Sequence, residues 1–252
     1  MRLLLLTYFV SISFLTSTFA QRASPTPTPA GPKVVDTSPK AWQVGVSPSQ
    51  KELSVTFDQR MYPGMTAWMG RSGLTPPLDV NSKISEDRMT FSIHVDFQPG
   101  KVYVFALNEK NQRGVGFQNE RGQAVPPYFL VFQTIGNLAP DDTPPRAVTT
   151  NPTHNTQQVD PSRLKSLTIT FDKPMQAARH GLHMLENKKE VDMSKAKFQY
   201  SPDGKTFAVG YDFKPSSTYE IQLNSTQDIG FASAKRIPLW PVGFSFSTGQ
   251  PR

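Results

Sequence analysis

Leu53-Ser54-Val55-Thr56-Phe57-Asp58 returns later in the chain as Leu167-Thr168-Ile169-Thr170-Phe171-Asp172. In both copies an apolar side chain takes every second position. Successive side chains on a strand point to opposite faces, so this period of two buries one face and wets the other. Working outward, the matches continue on both sides. Ser38-Pro39 matches Asn151-Pro152, Val46-Ser47-Pro48-Ser49 matches Val159-Asp160-Pro161-Ser162, and Met61 matches Met175. Further on, Phe91, Ile93, Val95 and Phe97 alternate as Phe207, Val209, Tyr211 and Phe213 do. Tyr103 matches Tyr219, Val115-Gly116-Phe117 matches Ile229-Gly230-Phe231, and Phe132-Gln133-Thr134 matches Phe246-Ser247-Thr248. The offset stays between 113 and 116 residues throughout. An ordered series with so little drift marks a duplicated unit.

Each unit has the length and strand pattern of an immunoglobulin-like sandwich. The expected fold class is therefore all-β, with two tandem immunoglobulin-like β-sandwich domains at 33–137 and 146–249. Leu138–Pro145 reads as the linker between them. Ahead of the first domain, Ala23–Pro32 alternates threonine and proline, which favours an extended spacer over a packed core. Residues 1–20 read as a secretory signal peptide. Arg2 is followed by an apolar run to Leu15, and Thr18 and Ala20 are the small residues before a cut at Gln21. That leaves 21–32 as a Pro/Thr-rich linker, and no membrane span after cleavage.

Cysteine is absent, which excludes a disulfide framework, a thiolate nucleophile and cysteine-bound zinc. The net charge of +7 is spread along the chain without a clustered basic patch, so no nucleic-acid partner is expected. Of the four histidines, His94 falls on the polar side of its strand and His154 in a turn-rich stretch. No Gly-x-Ser-x-Gly elbow, phosphate-cradling glycine loop or His-Glu-x-x-His pair is present. The chain is expected to be non-enzymatic, with no catalytic residues and no cofactor.

Three features carry local readings. Tyr103 and Tyr219 each follow a proline-led turn, and each is either a corner tyrosine bonding back to the preceding backbone or an ordinary core tyrosine. Asp141-Asp142 offers hard oxygen ligands for calcium between the domains, against a solvated hinge. Met175, His180, His183 and Met184, with Met61, Met65 and Met69 in the first unit, combine soft ligands suited to copper, against a core-filling role for the methionines.

The order Pro-x-Val-Val-x-x-Ser-Pro (32–39), Leu-x-Val-Thr-Phe-Asp-x-x-Met (53–61), Phe-x-Pro-Gly-x-x-Tyr (97–103) and Phe-x-Thr (132–134) resembles the bacterial Ig-like domain of the S-layer-protein type, the SbsA Ig-like domain. Both units fit. One departure stands out: the late Asp-x-x-Gly-Asn loop common in that family is here Asn111–Gly114 and Gln227–Gly230. The resemblance implies an exported bacterial protein that is structural, adhesive or an accessory binding module at the cell envelope. Its partner would be a protein, a polysaccharide or the cell wall. The alternative is a periplasmic copper-binding protein using the Met/His set. Trp42, Trp68 and Trp240 are candidates for sugar stacking or for core burial. The segments that differ between the units, 62–89 and 176–205, are the expected place for a specific ligand.

Overall fold

The computed structural model describes residues 30–64, 68–70, 74–76, 81–109, 116–177 and 180–251. The expected signal peptide, most of the Pro/Thr-rich stretch, Met65 and the loop at 111–114 lie outside them. Among the described residues no helix is long and apolar enough to cross a membrane.

The first half contributes β1 (Val34–Ser38), β2 (Gln43–Val46), β3 (Glu52–Phe57), β4 (Trp68–Gly70), β5 (Lys83–Ile84), β6 (Thr90–His94), β7 (Val102–Leu107) and β8 (Tyr128–Thr134). The second half contributes β9 (Ala147–Asn151), β10 (Thr156–Val159), β11 (Ser166–Phe171), β12 (Leu182–Glu186), β13 (Lys189–Glu190), β14 (Lys197–Tyr200), β15 (Thr206–Gly210), β16 (Thr218–Leu223) and β17 (Val242–Thr248). The fold is all-β: two tandem immunoglobulin-like sandwiches. In the first, a sheet ordered β1-β3-β6-β5 faces one ordered β2-β8-β7-β4. In the second, β14-β15-β11-β9 faces β10-β17-β16-β12-β13.

The duplication extends to backbone detail. Both Ser38-Pro39 and Asn151-Pro152 are cis, at the point where the chain leaves one sheet to enter the other. Proline has no N–H to give a ladder, so it suits this break. Val35 and Val148 are the extra residues of matching β-bulges, and each is 60% exposed. The alternating residues of β3 and β11 point inward as expected: Leu53, Val55, Phe57, Leu167, Ile169 and Phe171 are all buried.

Each sandwich is locked by the same two polar devices. The hydroxyls of Tyr103 and Tyr219 accept hydrogen bonds from the backbone N–H groups of Gln98 and Lys214, at 2.8 and 2.7 Å. The turn before each tyrosine needs a left-handed residue, supplied by Gly100 (φ 63°) and Ser216 (φ 49°). Glycine is required at position 100 because a Cβ would lie 2.4 Å from the Asn137 carbonyl oxygen. The second device is an asparagine at the end of β7 and of β16. Asn108 donates to the carbonyls of Phe117 and Val125 and accepts from the Phe117 N–H. Asn224 does the same with Phe231 and Leu239, at 2.8 to 3.0 Å. The Phe117 and Phe231 carbonyls also accept the Val125 and Leu239 N–H groups, and the side-chain amide supplies the partner for the Val125 or Leu239 carbonyl and the Phe117 or Phe231 N–H.

The sandwiches are joined by an apolar cluster. Val102, Val104, Ala106, Phe129 and Val131 on the outer face of β7 and β8 pack with Ile229 and Ile237 of the second half. Trp42, Leu74, Leu138 and Trp240 close the rim. The Phe129 N–H donates to the Thr226 carbonyl across the junction, at 2.6 Å. The connecting segment is tied down as well. Lys173 Nζ donates to the carbonyls of Pro140 and Thr143, and Lys235 Nζ sits 3.5 and 3.2 Å from the Asp141 and Asp142 carboxylates. An ammonium group thus occupies the position between these carboxylates that the sequence offered to calcium. The segment is a fastened strap, where composition alone suggested a solvated hinge.

Candidate functional site

The duplicated sheets differ in what covers their outer faces. In the first sandwich β7 reads Val-Tyr-Val-Phe-Ala-Leu and is buried on both sides, because the second sandwich lies against it. The equivalent β16 reads Thr-Tyr-Glu-Ile-Gln-Leu and buries only Tyr219, Ile221 and Leu223. Thr218, Glu220 and Gln222 point outward. Gly243 and Ser245 stand on the same side of β17, where β8 carries Phe129 and Val131. The result is an open groove of about 560 Å³.

Cross-strand pairing orders the groove into two rows. His183, Gln222 and Gly243 lie side by side across β12, β16 and β17. Leu185, Glu220 and Ser245 form the next row. His154, from the turn before β10, closes one end: its Nδ1 accepts the Ser245 N–H at 3.2 Å. That bond fixes the imidazole with Nδ1 as the acceptor. The Gln222 side chain is held in one orientation because its Nε2 donates to the carbonyls of Leu223 and Asn224. Its Oε1 is left beside Gly243, where a Cβ would come within 3.3 Å. The groove therefore offers the Glu220 carboxylate and Gln222 Oε1 as acceptors, the Thr218 hydroxyl and the His154 and His183 imidazoles as further polar groups, and a Ser245 hydroxyl that donates to Asn155 Oδ1.

The soft-metal candidates are not brought together. Met175 and Met184 are buried in the core of the second sandwich, and Met61 is buried in the first. His183 is exposed on the face of β12 opposite to Met184, since neighbours on a strand point apart. His180 packs its ring on Phe198, 3.9 Å between centroids, and near Phe207. Among the described residues no group of three His, Cys, Asp or Glu could hold a metal ion. His94 lies exposed, 3.8 Å from Asp96. The tryptophans have packing roles. Trp42 and Trp240 meet at the junction, and Trp68 packs edge-on against Phe117 while donating to Ser82 Oγ.

The divergent segment 176–205 supplies only His183 and Leu185 to the groove. His154 comes from the turn before β10, and the other lining residues come from β16 and β17, strands shared by both units. The available signal was the outward set itself: Val102, Val104 and Ala106 against Thr218, Glu220 and Gln222.

Comparison with known proteins places the second sandwich. Residues 141–248 match a family described as a bacterial Ig-like domain. The match spans less than half of the chain. No curated protein matches the sequence. Solved structures are similar at low identity. CopC from Methylosinus trichosporium OB3b is 12% identical over 42% of this chain and 94% of its own, with a TM-score of 0.31. The N-terminal part of the bacterial S-layer protein SbsC is 11% identical over 86% of this chain and 44% of its own, with a TM-score of 0.31. The titin Ig tandem A164–A165 is 13% identical over 87% of this chain and 97% of its own, with a TM-score of 0.26. Likenesses of this size carry no argument about function.

Proposed function

We propose that this chain is an exported, non-catalytic binding module of the bacterial cell envelope, in which the first sandwich supports the second and the second holds the ligand. The observation that carries this reading is the contrast between the two outer faces. One is apolar and covered; the other is open and grooved, with Thr218, Glu220, Gln222 and Ser245 set among Leu185, Ile221 and Phe244. Fold alone does not assign function, so the argument rests on the groove. Its apolar floor with the Glu220 and Gln222 acceptors suits an extended polymer that pairs apolar faces with hydroxyl or amine donors, such as a wall polysaccharide. Hydrogen bonds along a strand-lined groove suit such a chain better than a compact small molecule.

The test is retention of the 21–252 chain on purified envelope polysaccharide and on envelope protein fractions. Glu220→Lys reverses the only carboxylate among the described groove residues, and Gly243→Phe fills the space beside Gln222. Each should lower retention at least tenfold while leaving the unfolding midpoint nearly unchanged. Equal retention of wild type and both variants would remove the groove from the function.

A further inference from the structure

The strand that supplies His183 and Leu185 to the groove is also the one whose two ends are held by ionisable groups. β12 continues through the tight turn Asn187-Lys188 into β13, the outermost strand of its sheet. At the start of β12, the His180 ring lies against Phe198 of β14 and Phe207 of β15. The charged group that acts on it is Asp228, whose Oδ1 accepts the Gly230 N–H. At the far end, Glu186 Oε1 accepts from Lys214 Nζ at 2.5 Å. Glu186 Oε2 accepts from the Tyr211 and Tyr219 hydroxyls at 3.2 and 3.1 Å. Asp212 is the other carboxylate acting on Lys214 and Tyr211. Next to Glu186, Asn187 Oδ1 accepts the Thr218 N–H, so hairpin and tyrosine corner are fastened together.

We propose that β12 and β13 form an acid-releasable edge of the second sandwich, held at one end by neutral His180 on its phenyl rings and at the other by ionised Glu186 under Tyr211, Tyr219 and Lys214. Both grips weaken in the same direction. Burial pushes the His180 imidazole below its ordinary 6.5, and Asp228 opposes this only in part. Burial raises the Glu186 carboxyl, but the hydrogen bonds from Lys214 and Tyr219, the Lys214 charge and the Tyr211 hydroxyl outweigh it and hold it below the ordinary 4.5. Each group binds its proton less tightly when packed than when released. The stabilisation is therefore full above the ordinary value and is lost as pH falls through the packed value. His180 yields first, in mild acid, and Glu186 at lower pH. Release removes one wall of the groove. The proposal does not depend on the groove binding anything, since it is read from backbone opening alone.

Amide hydrogen exchange on the 21–252 chain, corrected for the intrinsic pH dependence, tests it. Between pH 7 and 5 the protection of Leu182–Glu186 should fall by up to about tenfold per pH unit, the limit for one proton taken up. The protection of β4 and β7 should stay level. His180→Phe keeps a ring on Phe198 but cannot titrate, so it should abolish the mild-acid step. Glu186→Gln should remove the lower one. Should a variant fail to fold, the wild-type His180 ring resonances decide the matter: their midpoint must coincide with that of the β12 amides. Level protection of β12 across this range, an unchanged mild-acid step in His180→Phe, or separate midpoints would overturn the proposal.

Discussion

The indole N–H of Trp240 donates to the backbone carbonyl of Trp42 at 3.1 Å, and the two rings meet edge to face with centroids 5.6 Å apart. One residue belongs to each sandwich. Together with Ile229 and Ile237 they make the two halves share buried surface, so heat should unfold residues 31–252 as one transition. Ile237→Glu places a carboxylate in that apolar cluster, at a cost of about 2 to 5 kcal/mol. Calorimetry should then show two separated transitions, and small-angle scattering a larger radius of gyration. A single unchanged transition in the variant would show that the cluster does not couple the halves.

Removing either asparagine device should be severe. Asn108→Ala takes the side-chain partner from the Val125 carbonyl and the Phe117 N–H, and Asn224→Ala from the Leu239 carbonyl and the Phe231 N–H, while the Phe117 and Phe231 carbonyls keep the Val125 and Leu239 N–H groups. Each is expected to lose about 2 to 4 kcal/mol by urea unfolding, with Asn224, fully buried, the worse. Asn224 also heads an Asn-Ser-Thr sequence. Its amide is already committed to two carbonyls inside the fold, so expression in a glycosylating host should leave the folded chain unmodified there by mass spectrometry.

The two corner tyrosines should differ in weight. Tyr103→Phe removes one neutral hydrogen bond, worth about 1 kcal/mol. Tyr219→Phe also removes a hydrogen bond to the ionised Glu186, and should cost about 2 to 3 kcal/mol at pH 7. As pH falls and Glu186 is neutralised, the gap between the two variants should close. A gap that persists once Glu186 is protonated would assign the difference to packing.

Tyr200 behaves in the opposite sense. Its hydroxyl is buried and makes no hydrogen bond among the described residues, and burial pushes its ionisation far up. The ring still packs 4.8 Å from Phe207. Tyr200→Phe keeps that contact and removes an unsatisfied group. It should be neutral or stabilising by up to about 1 kcal/mol in chemical denaturation. A loss of stability would reveal a partner for the hydroxyl.

The duplicated alternation of β3 and β11 made the sandwiches legible, because a period of two leaves only one face to bury. The corner tyrosines were legible for the same reason: a proline-led turn before an aromatic has few uses. What composition hid was everything decided between elements. Leu138–Pro145 has the residues of a free linker, yet Lys173 and Lys235, distant in sequence, hold it down. Met175, His180, His183 and Met184 look like neighbours along the chain, yet Met175 and Met184 are buried in the core, strand alternation turns His183 to the opposite face, and His180 stacks on Phe198. Asn108 and Asn224 follow a leucine in both units, a shared pair visible in the sequence whose role is not, because asparagine in a loop commonly serves only the turn.

The junction has one more consequence. A docking loop like 229–240 and a receiving face like that of β7 and β8, if kept in both copies, would let units stack without limit. Here the first unit has Gln123 and Pro126 where the second has Ile237 and Trp240, and the second has Glu220 and Ser245 where the first has Val104 and Val131. Plug and socket survive once each, and in being joined they use one another up. Growth by this contact halts at two, and the protein is spared the fate of a fibre.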